Sequence, residues 1–373
     1  MPSNILIVSN TSWYLHNFRL GLIESLLGQG YKVSTLSPED QYSDKLIQKG
    51  CHHIHLVMDN KGLNPINDLM MRKILSEHYR EVNPNLIMHY TIKPVIYGSM
   101  AAAKLGIPFI SNITGLGTAF IKRNWITWLV KRLYRLSQKK ADYIFFQNAD
   151  DKELFEKEKL IPNNVLQEVI PGTGIDTDHF NQQPYPESNP VIFLLIARML
   201  WDKGVGEFVE AARQIKSEFS DVRFQLLGFL DVINRTAISH QQMQIWTEQG
   251  VIEYLGETDD VRQHIASSSC VVLPSYREGL PRTLLEAASI GRPIIATDVT
   301  GCREVVDHGV NGYLSKAKDA SDLAEKMKDM IRLSVDERRE MGLRGRKKIE
   351  QNFDEKIILQ KIVNRIESVL NTA

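Results

Sequence analysis

Cysteine, long apolar runs and net charge are all scarce in this chain, and each shortage excludes a class of protein. The 373 residues include three cysteines, Cys51, Cys270 and Cys302, too far apart for a disulfide framework or a CxxC metal knuckle. No apolar run reaches the roughly 18 residues of a transmembrane helix. Lys plus Arg and Asp plus Glu are 45 each, so bulk charge does not favour nucleic-acid binding. We therefore expect a globular protein of the reducing cytoplasm.

The first residues also lack the basic segment and the small-residue cleavage site of a signal peptide. Ile5–Val8 is instead a short apolar run, which predicts a buried strand. A helical pattern follows and ends at Gly28 and Gly30, and Lys32–Leu36 predicts the next strand. Strand, helix and strand in fewer than 40 residues are typical of a parallel, doubly wound sheet.

A polar segment with three prolines, residues 181–190, divides the chain. Proline disfavours both helix interiors and strand ladders, so this segment is the predicted linker. Further strands are predicted at Leu86–Met88, Pro108–Ile110, Tyr143–Phe146, Val191–Ala197, Phe224–Leu227, Ile252–Leu255, Cys270–Leu273 and Pro293–Ala296. The sequence therefore predicts an α/β protein of two doubly wound, Rossmann-like domains, 1–183 and 184–373, facing across a cleft. The last helix, at about 355–373, is a candidate to pack back on the first domain.

One cluster of charged residues follows the predicted strand Cys270–Leu273 and precedes an apolar helix from about Leu284. Ligands of open α/β sheets bind beyond the carboxyl ends of the strands, and a helix N-terminus attracts phosphate. Arg282 stands at that point, and Glu278 and Glu286 lie eight residues apart. The two carboxylates could bind two parts of one ligand, such as two sets of sugar hydroxyls. The alternative is that Glu278 caps a helix and Glu286 is solvated.

A second cluster lies in the loop after the predicted strand Val191–Ala197. Arg198 and Lys203 are five residues apart in this loop. The guanidinium is a fork for phosphate oxygens and the ammonium is a point charge, so the pair suits a diphosphate. The alternative is two ordinary surface cations.

Together these residues resemble the paired signature of the family 4 retaining glycosyltransferases, which have the two-domain GT-B fold. The matching segments are Arg198-x4-Lys203, Glu278-x7-Glu286, Pro171–Asp176 with Phe180, and Tyr254–Gly256. With the segment Leu15–Arg19, the pattern is most similar to bacterial N-acetylgalactosaminyl- and other hexosaminyltransferases that act on polyprenyl-diphosphate sugars.

The resemblance implies a role for each matching residue. Arg198 and Lys203 would hold the diphosphate of a UDP-sugar and stabilise the leaving group. Glu286 would accept hydrogen bonds from the ribose, and Glu278 would contact the donor sugar. The other residues expected to face the nucleotide-sugar are Gly279, Leu280, Arg282, Thr283, Leu284 and Leu255. No cofactor and no metal are implied, because neither Asp259-Asp260 nor Asp176-Thr177-Asp178 stands in a metal-binding context.

The first half of the chain is expected to hold the acceptor. The candidate residues on this side are Tyr14, His16, Thr114 and Gly115. His89 is expected just past the strand Leu86–Met88, where the family often has a histidine near the sugar, and it is the candidate catalytic histidine. Trp13 and Tyr14 either stack on a sugar face or pack against the helix. Thr114 and Gly115 open a loop whose glycines allow close approach of a ligand.

The segment 120–140 is basic and aromatic. Residues 121–140 include seven basic residues and no acidic one, interleaved with Trp125 and Trp128. Such a segment on a neutral protein suits an anionic membrane surface. The alternative is a helix that faces the core and has a solvated basic side. Nucleic acid is disfavoured as a partner, since no accompanying motif occurs.

These observations predict a retaining glycosyltransferase that moves a sugar, an N-acetylhexosamine, from a UDP-sugar to a lipid-linked saccharide in bacterial surface-glycan synthesis. Its expected place is the cytoplasm, bound peripherally to the inner face of the cell membrane. Two alternatives stay open at this stage: a UDP-sugar epimerase of the GT-B fold, and a non-catalytic protein that binds sugar nucleotides.

Overall fold

The computed structural model describes residues 2–58, 65–114, 125–187, 190–231 and 234–372. The chain forms two units, Met1–Thr173 with Lys356–Ala373, and Gly174–Glu355. The division follows Thr173 and not residue 183, because the intervening segment is hydrogen bonded into the second unit. The Ile175 N–H donates to the Phe353 carbonyl (2.8 Å), and the Gln183 N–H donates to the Ile290 carbonyl (3.1 Å).

Seven described strands form the sheet of the first unit. They are β1 (Asn4–Val8), β2 (Lys32–Ser37), β3 (His52–His55), β4 (Leu86–Tyr90), β5 (Phe109–Ile113), β6 (Tyr143–Phe146) and β7 (Leu166–Val169). All pairs are parallel in the order β3-β2-β1-β4-β5-β6-β7, so the order reverses between β1 and β4. Leu6 and Val8 pack into one core, and Ile5 and Ile7 pack into the core on the other face. This two-sided burial explains why β1 is a continuous apolar run.

Helices cover both faces of this sheet. They are α1 (Ser12–Gly28), α2 (Ser43–Gln48), α3 (Pro65–Val82), α4 (Ser99–Leu105), α5 (Trp125–Ser137) and α6 (Ala149–Lys157). A short π-helix, Pro94–Gly98, precedes α4, and a 3₁₀ turn, Gln138–Lys140, follows α5. Helix α1 begins directly after β1 because the Thr11 hydroxyl caps it, accepting the Tyr14 N–H at 3.0 Å.

The second unit has a parallel sheet of six described strands. They are β8 (Val191–Ile196), β9 (Val222–Leu227), β10 (Glu253–Tyr254), β11 (Cys270–Leu273), β12 (Ile294–Thr297) and β13 (Gly312–Ser315). The order is β10-β9-β8-β11-β12-β13, which reverses between β8 and β11. The helices are α7 (Val205–Lys216), α8 (His240–Glu248), α9 (Arg262–Ser267), α10 (Arg282–Ile290), α11 (Cys302–Val305), α12 (Ala320–Arg332) and α13 (Val335–Asn352).

The last helix, α14 (Glu355–Thr372), returns to the first unit. Ile358, Ile362 and Ile366 are buried in the same core as Ile5 and Ile7. The first unit is therefore completed by residues from both ends of the chain. The predicted α/β class, with two parallel-sheet domains, is confirmed.

Candidate active site

Both charged clusters of the second half lie at the point where its strand order reverses. The loop after β8 carries Arg198 and Lys203, and the loop after β11 carries Glu278. Since β8 and β11 are parallel neighbours, the two loops leave the same edge of the sheet side by side. Connections that diverge at such a point leave a crevice, which is where open α/β sheets bind ligands.

Close backbone contacts fasten these two loops together. Gly204 has a φ of +73°, and a Cβ at this position would lie 2.1 Å from the Pro274 carbonyl oxygen. Only glycine can adopt this backbone conformation and also leave room for Pro274. The Tyr276 N–H donates to the Asp202 carbonyl at 3.0 Å. The sequence did not single out Gly204, although a glycine next to a cation in a loop after a strand was a usable signal.

The structure brings Lys203 and Glu278 into contact. The Lys203 Nζ lies 2.5 Å from Glu278 Oε1, and their side chains are 22% and 12% exposed. Glu278 therefore does not act merely as a helix cap, since its carboxylate pairs with a cation of the other loop. Arg198 is exposed in the same loop, and no described residue forms an ion pair with its side chain. The site thus presents one paired and one solvent-facing cation.

Glu286 is buried, not solvated. It lies in the second turn of α10, is 9% exposed, and accepts a hydrogen bond from Arg282 Nε at 3.0 Å. Burial raises the pKa of the Glu286 carboxyl, and the charge of Arg282 opposes that rise. The alternative of a solvated surface carboxylate is therefore wrong. A carboxylate kept from bulk water is a strong acceptor for the hydroxyls of a ligand.

The N-terminus of α10 is formed by Pro281, which caps it without a side-chain hydrogen bond. The N–H groups of Leu284 and Leu285 return to the Pro281 carbonyl at 3.1 and 3.4 Å. Leu284 is fully buried, so neither its side chain nor its N–H faces a ligand, against our expectation for this residue. The Thr283 hydroxyl donates at 3.4 Å to the carbonyl of Ile196, the last residue of β8.

The remaining residues that were predicted to face the nucleotide-sugar follow strands of the same sheet. Gly279 and Leu280 are half-buried in the loop after β11. A Cβ on Gly301 would lie 2.5 Å from the Gly279 carbonyl oxygen, so the loop after β12 touches this segment and requires glycine there. Leu255 directly follows β10 and packs against the core with Leu227 and Leu284.

In the first unit, Tyr14 packs inward and Trp13 faces outward. Arg19 Nη2 donates to the Tyr14 hydroxyl at 2.8 Å, and the Arg19 guanidinium lies 4.2 Å from the centre of the Tyr90 ring. Trp13 is 46% exposed and touches Phe18 edge-on, with ring centres 5.3 Å apart. Of the two aromatic residues, Trp13 therefore offers more surface to a ligand.

The placement of His89 past its strand is wrong, because His89 lies within β4 and is fully buried. Its Nε2 is 2.9 Å from the Tyr79 hydroxyl, and its Nδ1 is 3.3 Å from the Ser99 hydroxyl. Burial lowers the pKa of His89 to about 3, so the imidazole is neutral. A ring with both nitrogens engaged in the core belongs to the packing of the unit, not to a catalytic group.

The other candidate residues for the acceptor side are on α1 and after β5. His16 is half-buried on α1, 5.1 Å from the Tyr42 ring, and burial followed by the charge of Lys45 lowers its pKa. Thr114 follows β5 and is half-buried, and Gly115 lies outside the described residues.

Residues 120–124 of the basic segment lie outside the described residues, and α5 and the 3₁₀ turn Gln138–Lys140 carry the rest. Val130 and Tyr134 are buried on its inner face, while Trp128 is 61% exposed with the Arg132 guanidinium 5.5 Å from its ring. Lys131 pairs with Glu158 at 2.8 Å. Arg135 donates to the carbonyls of Glu158 and Lys159 at 2.9 and 3.0 Å. The exposed cations that form no such link are Arg132, Lys139 and Lys140.

Two family models match the chain, one on each half. The model described as glycosyl transferase 4-like matches residues 4–148, and the model described as glycosyl transferases group 1 matches residues 190–332. The N,N'-diacetylbacillosaminyl-diphospho-undecaprenol alpha-1,3-N-acetylgalactosaminyltransferase of Campylobacter jejuni is 29% identical over 97% of this chain and 98% of the relative.

Solved structures show the same fold. A glycosyltransferase from Rickettsia africae has a TM-score of 0.81 at 21% identity over all of both chains. Anabaena Alr3699/HepE in complex with UDP-glucose has a TM-score of 0.78 at 19% identity, over 98% of this chain and 100% of the other. This chain belongs to the GT-B glycosyltransferases of family 4/group 1, and the predicted family and enzyme class are confirmed.

Proposed function

We propose that this enzyme transfers an N-acetylhexosamine from a UDP-sugar to a lipid-linked saccharide, with retention of the anomeric configuration, in bacterial surface-glycan synthesis. The fastened loops after β8 and β11 carry this proposal, because they place two cations and a carboxylate at one crevice. The name of the Campylobacter relative supports the acceptor class and the sugar, and the UDP-glucose of the Anabaena structure supports the donor class.

Arg198 and Lys203 act on the diphosphate. As the bond between the sugar and the diphosphate breaks, negative charge accumulates on the leaving UDP. Two cations held on one loop stabilise that charge in place, which is usually the largest catalytic effect of such groups. The N-terminus of α10, where Pro281 makes no side-chain capping hydrogen bond, favours the same charge through the helix dipole.

The two carboxylates act on opposite ends of the donor. Glu278, already paired with Lys203, contacts the hydroxyls of the sugar next to the diphosphate. Glu286, buried one helical turn beyond Arg282, accepts the ribose hydroxyls. No metal takes part in this scheme. Asp176 accepts the N–H groups of Asp178 and His179, and Asp260 pairs with Arg262, so these aspartates serve local turns.

The acceptor reaches the enzyme at a membrane surface. Among the described helices, none is both long and apolar enough to cross a bilayer. Helix α5 instead presents Trp128 beside Arg132, an indole and a cation of the kind that binds the headgroup layer of an anionic leaflet. We place this contact on the inner face of the cell membrane, where UDP-sugars are available.

The test is a panel of UDP-sugars with a short-chain polyprenyl-diphosphate N-acetylhexosamine as the acceptor. Arg198→Ala and Lys203→Ala should each lower kcat/KM by about 10²-fold or more, which is about 2.7 kcal/mol of transition-state stabilisation. Arg213→Ala is the matched control, since Arg213 is a cation of α7 that pairs with Glu210 away from both loops. It should stay near the wild-type rate.

Three results would contradict the proposal. If a folded Arg198→Ala protein keeps a rate within threefold of wild type, Arg198 does not hold the diphosphate. Loss of activity in EDTA would contradict the metal-free site. Turnover of the UDP-sugar without an acceptor, with a new sugar epimer as the product, would favour the epimerase alternative.

A further inference from the structure

Tyr276 joins the loops after β8 and β11 and is not among the residues predicted to bind the nucleotide-sugar. Its hydroxyl donates to Glu207 Oε1 at 2.7 Å, and its N–H donates to the Asp202 carbonyl at 3.0 Å. The Lys318 Nζ lies 4.7 Å from the centre of the Tyr276 ring, within cation–π distance. Tyr276 thus ties the loop after β11 to the loop after β8 through its main chain, and to the first turn of α7 through its side chain.

These contacts surround the ion pair of the site. Asp202 and Glu207 stand on either side of Lys203 in the chain, and Tyr276 stands two residues before Glu278. The separation of Lys203 and Glu278 therefore depends on where Tyr276 is held. The tyrosine remains a donor at working pH, because burial and the hydrogen bond to Glu207 raise its pKa above the ordinary value.

We propose that Tyr276 is a positioning residue for glycosyl transfer. Through Glu207 it holds the loop that places Glu278 against Lys203, and so it fixes the orientation of the donor sugar relative to the diphosphate. This inference rests on the proposed function, from which the roles of Lys203 and Glu278 come. In this proposal Tyr276 acts through Glu207 and Asp202 and makes no contact of its own with the nucleotide or the sugar.

Tyr276→Phe tests this by removing only the hydroxyl. We expect kcat to fall at least about tenfold, because small misplacements of reacting groups are costly. The Kd for UDP should stay within about twofold of wild type, because the clamp residues are unchanged. Glu207→Gln keeps an oxygen that accepts from the hydroxyl and should preserve kcat. Glu207→Leu removes that oxygen and should behave like Tyr276→Phe, with no further loss in the double variant.

Tyr185→Phe is the matched control. The Tyr185 hydroxyl donates to the Ser269 carbonyl at 2.8 Å, next to the amino end of β11, whereas Tyr276 follows its carboxyl end. Both substitutions remove one tyrosine hydrogen bond of similar length from the same unit, so both should lower Tm slightly. Only Tyr276→Phe should lower kcat, which separates positioning from a general effect on stability.

The outcomes distinguish this inference from the function on which it rests. A Tyr276→Phe enzyme with the wild-type kcat, beside an inactive Lys203→Ala enzyme, would overturn the positioning role and leave the donor site intact. A parallel fall in UDP affinity and kcat would also overturn it, since the hydroxyl would then act on nucleotide binding. Activity retained in Lys203→Ala would overturn the donor-site roles themselves.

Discussion

At the scale of single residues, burial separates the two histidines that the sequence treats alike. His16 is half-buried at the side of α1, whereas His89 lies inside β4 with Tyr79 and Ser99 against its ring. Gly98 supports this packing, because a Cβ there would lie 2.6 Å from His89 Nε2. The sequence does not show whether a histidine lies inside a buried strand or just past its end.

The neutral His89 predicts a pH-dependent stability. Its folded pKa of about 3 lies below the ordinary value of 6.5, so the unfolded chain gains a proton first as the pH falls. The contribution of His89 to the free energy of unfolding is complete above pH 6.5. It declines by about 1.4 kcal/mol per pH unit as the pH falls toward 3. His89→Leu should lower Tm at pH 7 but show a shallower decline between pH 6.5 and 4.5 in calorimetry. Identical slopes in the two proteins would contradict the buried, neutral assignment.

At the scale of elements, the apolar runs were sufficient to predict most strands. Residues buried on both faces, such as those of β1, β8 and β11, form continuous hydrophobic stretches that differ clearly from their helical neighbours. Three edge strands were missed: β3 (His52–His55), β7 (Leu166–Val169) and β13 (Gly312–Ser315). All three contain polar or small residues, since an edge strand needs less apolar surface.

The sequence predicted that the loops after β8 and β11 carry the candidate site residues, but it did not predict the contacts that join the two loops. Arg198, Lys203 and Glu278 were identified as candidate site residues from their charge and from their position after buried strands. The links among them are long-range and depend on backbone geometry, as at Gly204 against Pro274. Nothing in the local sequence indicates which carbonyl a glycine will touch, so the contacts of Gly204 and Tyr276 could be found only in the structure.

Gly204→Ala tests whether the loops must touch. The new Cβ would combine a left-handed φ with a 2.1 Å approach to the Pro274 oxygen, so we expect a loss of about 1–3 kcal/mol in stability. The loops should also separate, and kcat/KM should fall at least about tenfold. Gly250→Ala is the matched control, with a φ of +65° and nothing within 4 Å of the new Cβ. It should lose about 1 kcal/mol and keep full activity. Equal activity of the two variants would show that the contact at Gly204 is dispensable.

At the scale of the whole molecule, the proposed donor site and the proposed membrane contact belong to different units. The described donor-side residues all lie within Gly174–Glu355, and α5 belongs to the other unit. The neutral net charge of the whole chain hides the basic helix, because acidic residues elsewhere balance it. A membrane contact is therefore expected to depend on one element and not on the overall charge.

Charge reversal tests the membrane contact of α5 and of the 3₁₀ turn Gln138–Lys140 that follows it. Lys131 and Arg135 are left unchanged because they fasten α5 to Glu158 and Lys159. The variant reverses the charges of the three exposed cations, Arg132→Glu, Lys139→Glu and Lys140→Glu. Each cation near an anionic leaflet contributes about 1 kcal/mol, so binding to vesicles that contain anionic lipid should weaken by at least about 100-fold in co-sedimentation.

The variant should also lose turnover of an acceptor embedded in the vesicles and keep turnover of a soluble short-chain acceptor, because the donor loops are untouched. Raising the salt should weaken wild-type binding in the same direction, since the charges lie at the surface. The control reverses three exposed lysines on other elements, Lys316, Lys347 and Lys361. If this control loses vesicle binding as fully as the variant at Arg132, Lys139 and Lys140 does, the membrane responds to total charge, and α5 is only a helix with a solvated basic side.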